Sequence, residues 1–174
     1  VNAAIIIVVL HGHVGGPMVL AWGIALAVTV AARAMLLLRP PGEDADRTAI
    51  RAWARLFSIG TVATAGVWGL AGWVFVVPGQ PTTQLVTAVI IAGLVAGAFS
   101  TLRTLPHLFT AFTVCAVLPL AVRFLLVQDL ASILLAGAFC LFVLLMSVQA
   151  FKLSRQVTLS EARRIANLAL VDNL

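Results

Sequence analysis

The chain has 174 residues, of which 62% are hydrophobic and only 10% are charged, and its mean hydropathy is +1.12. Soluble domains carry about 25% charged residues, so the composition excludes a soluble globular domain and indicates an integral membrane protein. The net charge of +5 does not indicate nucleic-acid binding, because the basic residues lie at the ends of apolar segments, where they contact anionic lipid. Cys115 and Cys140 lie inside apolar stretches and predict neither a disulfide nor a metal site.

Apolar segments of membrane-spanning length recur along the whole chain, and a spanning helix needs about 20 such residues. Residues 1–10 are too few, and we interpret them as the end of a helix that begins before Val1. They end at the loop-forming residues 11–17. Five complete spans are predicted after this loop, at residues 17–38, 56–77, 84–102, 107–127 and 130–151. The expected fold is therefore an all-α transmembrane bundle of six helices.

The segment before the third span is predicted to be an interfacial helix. Asp44 or Asp46 can cap its N-terminus. Its basic residues recur at steps of four on one face, and its apolar residues share another. These are Arg47, Arg51 and Arg55 on the first face, and Ile50, Trp53, Ala54 and Phe57 on the second.

Small residues are concentrated in the middle spans, where they allow close helix packing. Gly66, Gly69 and Gly72 recur in the third span, and Gly93 and Gly97 form a Gly-x-x-x-Gly pattern in the fourth. The pattern fits packing within one protomer or a dimer interface. Pro119 removes a backbone hydrogen bond inside the fifth span and can kink it.

Candidate ligand-binding residues cluster on one side of the predicted bundle, at the span ends far from most of the arginines. They are His11, His13, Trp22, Trp68, Trp73 and Arg123. The indoles fit either an aromatic belt or a lined cavity. Arg123 fits either an anchor, neutralised by Asp129 or lipid phosphate, or the recognition of an anionic signal molecule. The two histidines lack an acidic or thiol neighbour, so no metal site is predicted.

No catalytic residue is predicted in this chain. Asp129, at a span boundary, is the only carboxylate near the membrane interior, which argues against a proton-coupled transporter. Ser100 lies outside a Gly-x-Ser-Gly motif and the sixth span has no histidine, which argues against an intramembrane protease.

Residues 152–174 are predicted to form one helix continuous with the sixth span, because no proline or glycine occurs from Ala138 to Leu174. Thr158, Ala162, Ile165 and Ala169 repeat at four, three and four residues, the spacing of a coiled-coil seam. This segment is either a signalling helix that acts through its rotational phase or a simple tether. The domain boundary is placed between a transmembrane domain, 1–151, and this cytoplasmic linker, 152–174.

The basic residues sort to one side of the predicted bundle. When the spans are numbered alternately, ten of the eleven lysines and arginines fall on one side and Arg123 falls on the other. Cytoplasmic loops hold the excess of basic residues. Both termini are therefore expected to be cytoplasmic.

The order of motifs resembles the membrane regions that precede bacterial GGDEF diguanylate cyclases. Ala169-x-x-Asp172-x-Leu174 matches the opening of a GGDEF domain. Looser matches precede it: Arg51-x-Trp53-x-x-x-Phe57, Gly66-Val67-Trp68-Gly69 (one residue away from the family's Gly-x-x-Trp-Gly) and Leu118-Pro119.

The resemblance implies a sensory and dimerising module in the bacterial inner membrane, responding to an unknown small-molecule or lipid-like signal. It implies a following cyclase domain that condenses two GTP into cyclic di-GMP with magnesium, and an EAL phosphodiesterase domain follows in GGDEF-EAL members. No residue of that catalytic site, and no cofactor site, lies in this chain. The alternatives are the input domain of a membrane histidine kinase and a small transporter.

Overall fold

The computed structural model describes residues 16–42 and 45–171, and this part of the chain is built from helices without strands. The helices are α1 (Gly16–Leu38), α2 (Arg47–Val74), α3 (Pro81–Leu102), α4 (Pro106–Val127) and α5 (Leu130–Val171). All five are long and apolar enough to cross a membrane. The all-α, multi-pass prediction is therefore confirmed for the described residues. The predicted first span, 1–10, lies outside them.

The helix boundaries follow from turn-forming residues. Proline occupies the first turn of α3 and of α4, where its missing N–H costs no helical hydrogen bond. Gly79 adopts a φ of 81° in the turn before α3, a conformation that glycine tolerates best. Before α5, the Asp129 carboxylate accepts the Ser132 N–H at 2.6 Å. These short connections reverse the chain direction between successive helices.

α2 begins at the predicted position but is longer than the predicted interfacial helix. It begins at Arg47, directly after the N-cap residue Asp46, and runs unbroken to Val74. The interfacial segment and the third span are thus one helix, since no proline or glycine breaks residues 47–59. Trp53 and Phe57 are half-buried, whereas Ile50 and Ala54 are exposed, so only half of the predicted apolar face meets protein.

α4 is the central helix of the bundle. α2 and α5 pack extensively along it, α3 packs on it to a smaller extent, and α1 packs on α2. Its buried side chains Phe109, Leu120 and Phe124 belong to the main core, together with Ile91 of α3. Large apolar side chains on the outer faces, such as Val89 and Leu134, are 69% and 65% exposed. Such an outer surface suits hydrocarbon rather than water.

The closest approach of two helices joins α2 to α4. A Cβ atom at Gly69 would collide with the Cys115 carbonyl oxygen and lie 2.9 Å from Cγ of Pro119. Pro119 has no N–H and leaves that carbonyl without its helical donor. A Cβ at Gly72 would lie 2.8 Å from Cβ of Leu120. Glycine at these two positions therefore permits the contact within one protomer.

The other predicted packing glycines make no such contact. A Cβ at Gly66, Gly93 or Gly97 would meet nothing within 4 Å. Gly93 and Gly97 lie on an exposed face of α3. At these three positions the structure shows no close helix contact within the protomer, and the other possibility, a dimer interface, stays a prediction.

Side-chain contacts identify which helix ends lie together. Trp53 Nε1 donates to the Leu36 carbonyl oxygen at 2.9 Å, and the His107 and Phe151 rings are 5.1 Å apart. We call this the basic end: the last turns of α1 and α3, the first turns of α2 and α4, and α5 around Phe151. It carries Arg33, Arg39, Arg47, Arg51, Arg55, Arg103, Lys152 and Arg155. Arg123 lies at the opposite end, beside Val76.

Candidate signal-binding site

Trp22 of α1 and Trp68 of α2 form a buried aromatic cluster with Phe75. The Trp22 ring meets the rings of Trp68 and Phe75 edge-on, with centroids 5.4 Å and 5.3 Å away. Its Nε1 donates to the Val67 carbonyl oxygen at 2.8 Å. Trp22 and Trp68 are only 8% and 5% exposed. Both predicted site residues therefore serve mainly to pack α1 onto α2.

Trp73 and Arg123 form a separate, more accessible pair at the end opposite the basic end. The Arg123 guanidinium lies 5.9 Å from the centre of the Trp73 ring, a distance at which a cation is attracted to an indole face. Its Nε and Nη2 donate to the Val76 carbonyl oxygen, both at the long distance of 3.4 Å. Trp73 is 41% exposed. Arg123 thus keeps N–H donors for a further acceptor.

Asp129 is occupied by the start of α5. Its two carboxylate oxygens accept the backbone N–H and the hydroxyl of Ser132, at 2.6 Å and 3.1 Å. Of the two partners expected for Arg123, the carboxylate is therefore engaged elsewhere in the described structure. A carbonyl and an indole hold the cation instead, and neither neutralises its charge.

The four predicted residues fall into two clusters that share one segment of chain. Phe75 contacts Trp22 in the first cluster, and the adjacent Val76 contacts Arg123 in the second. No residue pattern points to Val76, which contributes only a main-chain carbonyl beyond the last turn of α2. Gln84, which donates to the Val77 carbonyl oxygen at 3.2 Å, could have been found as a polar residue in an apolar helix.

The remaining predicted site residues are less well defined. His11 and His13 lie outside the described residues. Among those that are described, no group of three His, Cys, Asp or Glu side chains could hold a metal ion.

α5 leaves the bundle at the basic end as one continuous helix of 42 residues. This continuity was predicted from the absence of proline and glycine after Gly137. The hydroxyl of Thr158 donates to the Ser154 carbonyl oxygen at 3.0 Å on an exposed face. Ala162, Ile165 and Ala169 lie in the same helix, but their side chains fall outside the described part. Asp172 and Leu174 of the GGDEF-like tail also lie outside it.

No family model matches the chain, and neither a curated protein nor a solved structure matches it.

Proposed function

We propose that this chain is the sensory and dimerising membrane module of a bacterial diguanylate cyclase. In this proposal it lies in the inner membrane with six helices and both termini cytoplasmic. The cyclase follows residue 174 and makes cyclic di-GMP from two GTP with magnesium. The basic end is the cytoplasmic end, in accordance with the excess of arginine and lysine in cytoplasmic loops.

The observation that carries the proposal is the unbroken helix α5. A helix of 42 residues is about 63 Å long, whereas the hydrocarbon core of a bilayer is about 30 Å thick. About half of α5 therefore extends beyond the membrane on the basic side. A stiff helix that begins in the bundle and ends outside it couples a change among the membrane helices to whatever is attached. The resemblance of residues 169–174 to a GGDEF opening supports a cyclase as that partner.

Arg123 and Trp73 support a sensory role at the other end. A half-buried cation with unused donors beside a half-exposed indole suits a small anionic signal molecule, because the indole covers the apolar part and the guanidinium binds the charged part. In the proposal such a molecule replaces the long contacts to Val76 and shifts the arrangement of α2 and α4.

The outward face of α3 supports dimerisation. Gly93 and Gly97 lie on it one turn apart and a Cβ there would meet nothing of the same chain. A second copy can approach the backbone closely at this Gly-x-x-x-Gly pattern. A dimer is what the cyclase reaction needs, since two GTP are joined across two catalytic domains in the GGDEF family.

The decisive experiment uses the intact gene product, purified in lipid nanodiscs and supplied with GTP and magnesium. We expect cyclic di-GMP to form, and we expect none when the protein is truncated after Leu174. Autophosphorylation by ATP without cyclic di-GMP formation would instead support a histidine kinase and would contradict the proposal.

A further inference from the structure

A groove opens between α3 and α5 at the basic end, away from the Arg123 site. It has a volume of about 370 Å³ and is lined by Phe99 of α3 and by one face of α5. The α5 residues that line it are Met146, Gln149, Lys152, Leu153 and Gln156.

The groove exists because α3 and α5 do not pack along each other. Both pack on α4, and little direct contact joins the two within the described residues. The Phe99 and Phe109 rings meet edge-on at 5.4 Å and hold α3 against the start of α4. The space between α3 and α5 is consequently open sideways, toward the membrane.

Along the axis of α5 the lining runs from apolar Met146 through polar Gln149 to cationic Lys152, followed by apolar Leu153 and polar Gln156. Met146 lies deepest, Gln149 follows, and Lys152 and Gln156 lie toward the exit from the membrane. Met146 and Gln156 are about 15 Å apart along the helix, roughly the distance from the first acyl methylenes to the outer headgroup. From Met146 to Lys152 the order of the side chains therefore matches the order of acyl chain, glycerol and phosphate in a phospholipid.

The charge at the groove is entirely positive. Lys152 is exposed and none of the lining residues is acidic. Arg103 follows Phe99 by one helical turn, and Arg155 follows Lys152 by three residues, and both are exposed. The two glutamine amides can donate hydrogen bonds to phosphate or glycerol oxygens. Basic pockets between transmembrane helices are typical sites for anionic headgroups.

We infer that the α3–α5 groove binds one anionic phospholipid from the leaflet at the basic end. Lys152 contacts the phosphate, Gln149 and Gln156 contact the glycerol and headgroup oxygens, and Phe99 and Met146 contact the start of the acyl chains. The lipid links α3 to α5 at the point where α5 leaves the membrane. This inference holds for the chain alone and does not depend on the identity of an attached domain.

Native mass spectrometry of the chain released from detergent tests the inference. Phosphatidylglycerol and phosphatidylcholine with identical acyl chains are titrated, and the dissociation constant of the first bound lipid is measured for each. We expect tighter binding of phosphatidylglycerol. The Lys152→Gln variant should weaken phosphatidylglycerol binding about fivefold, the effect of one basic side chain at an anionic surface. It should weaken phosphatidylcholine binding less, because the choline cation offsets the phosphate charge.

Arg51→Gln is the matched control, because it removes one exposed charge at the same end from α2, outside the groove. It should change phosphatidylglycerol binding less than twofold. Equal losses in both variants would show diffuse attraction and overturn the inference, as would equal affinity for the two lipids. Inorganic phosphate at the same concentration should not displace the lipid. Displacement would identify a free-anion site and also overturn it.

Discussion

At the scale of single residues, the contacts of a glycine position, rather than the spacing of glycines in the sequence, decide whether a larger residue fits there. Gly66 and Gly69 belong to the same run at three-residue steps. Yet a Cβ at Gly69 would meet backbone and proline of α4, and one at Gly66 would meet nothing within 4 Å. Backbone cannot move aside as the tip of a side chain can.

The Gly69→Ala substitution should therefore destabilise the bundle by about 1 to 3 kcal/mol, the usual cost of overpacking. Gly66→Ala is the control and should leave stability unchanged or slightly raised, since alanine favours helix more than glycine does. The free energy of unfolding of both variants and of the parent can be measured by titrating mixed micelles with sodium dodecyl sulfate. Equal stability of the two variants would show that α2 and α4 are not in close contact.

Asp46 provides a pH-dependent interaction outside the membrane. The Thr48 hydroxyl donates to its carboxylate, and this hydrogen bond lowers the pKa of Asp46 below its ordinary value of 3.8. A carboxyl whose pKa is lower in the folded state stabilises that state above its unfolded pKa. The contribution is lost as the pH falls through the lower pKa of the folded protein.

Replacing Thr48 by valine should raise the pKa of Asp46 toward 3.8, whereas Thr48→Ser should preserve the lowered pKa, because serine keeps the hydroxyl donor. The pKa of Asp46 in the parent and in both variants can be measured by following its carboxyl carbon by NMR as the pH is changed. An identical pKa in the valine variant and the parent would mean that Thr48 does not hold the carboxylate.

At the scale of elements, α5 offers the most direct test of signalling. Each inserted residue rotates everything downstream by about 100°, whereas seven residues restore the phase to within about 20°. We expect one residue inserted after Arg155 to change cyclic di-GMP production by the intact protein. Seven inserted residues should leave production close to that of the parent. If all three proteins make the same amount under the same signal, α5 is only a tether.

The outward face of α3 gives a second test at this scale. Replacing Gly93 and Gly97 together by leucine should weaken dimerisation in the membrane, because the side chains separate the two backbones. The matched control is Val28→Leu on the outward face of α1, at a position 61% exposed, which should leave dimerisation unchanged. Energy transfer between labelled copies in vesicles measures association. An unchanged dimer would place the interface elsewhere.

Most element boundaries could be predicted because turn formers interrupt the apolar runs. Pro40-Pro41 and Pro78-Gly79 lie in connections, and Pro106 is the first residue of α4. The start of α2 after Asp46 was also predicted, but its unbroken continuation into the third span was not. An amphipathic segment has the same helical period whether it forms a separate interfacial helix or continues a span, and the sequence pattern does not distinguish the two.

The candidate site could be predicted only in part, for a related reason. Trp22, Trp68, Trp73 and Arg123 do lie in α1, α2 and α4 as expected, but sequence does not show which faces of different helices meet. Burial of the Trp22–Trp68 pair results from packing of α1 on α2. The partner of Arg123 is a main-chain carbonyl, which no residue type in the sequence signals.

At the scale of the whole molecule, the separation of charge between the two ends predicts the orientation. Gly42 and Pro78 are exposed and lie in connections at opposite ends. In a background with Cys115 and Cys140 replaced by alanine, Pro78→Cys should react with an impermeant maleimide added to spheroplasts. Gly42→Cys should react only after permeabilisation. The reverse pattern would contradict a cytoplasmic basic end.

The length of α5 has a mechanical consequence. The part beyond Phe151 contains 20 residues up to Val171 and is about 30 Å long. A tilt of about 10° at the membrane surface would displace its far end by about 5 Å, close to the pitch of one helical turn. Helices in bilayers are tilted by about 20° on average, over a range of about 0 to 40°. A small change in the inclination of α5 within the bilayer is therefore amplified, at Val171, to a displacement of about one helical turn.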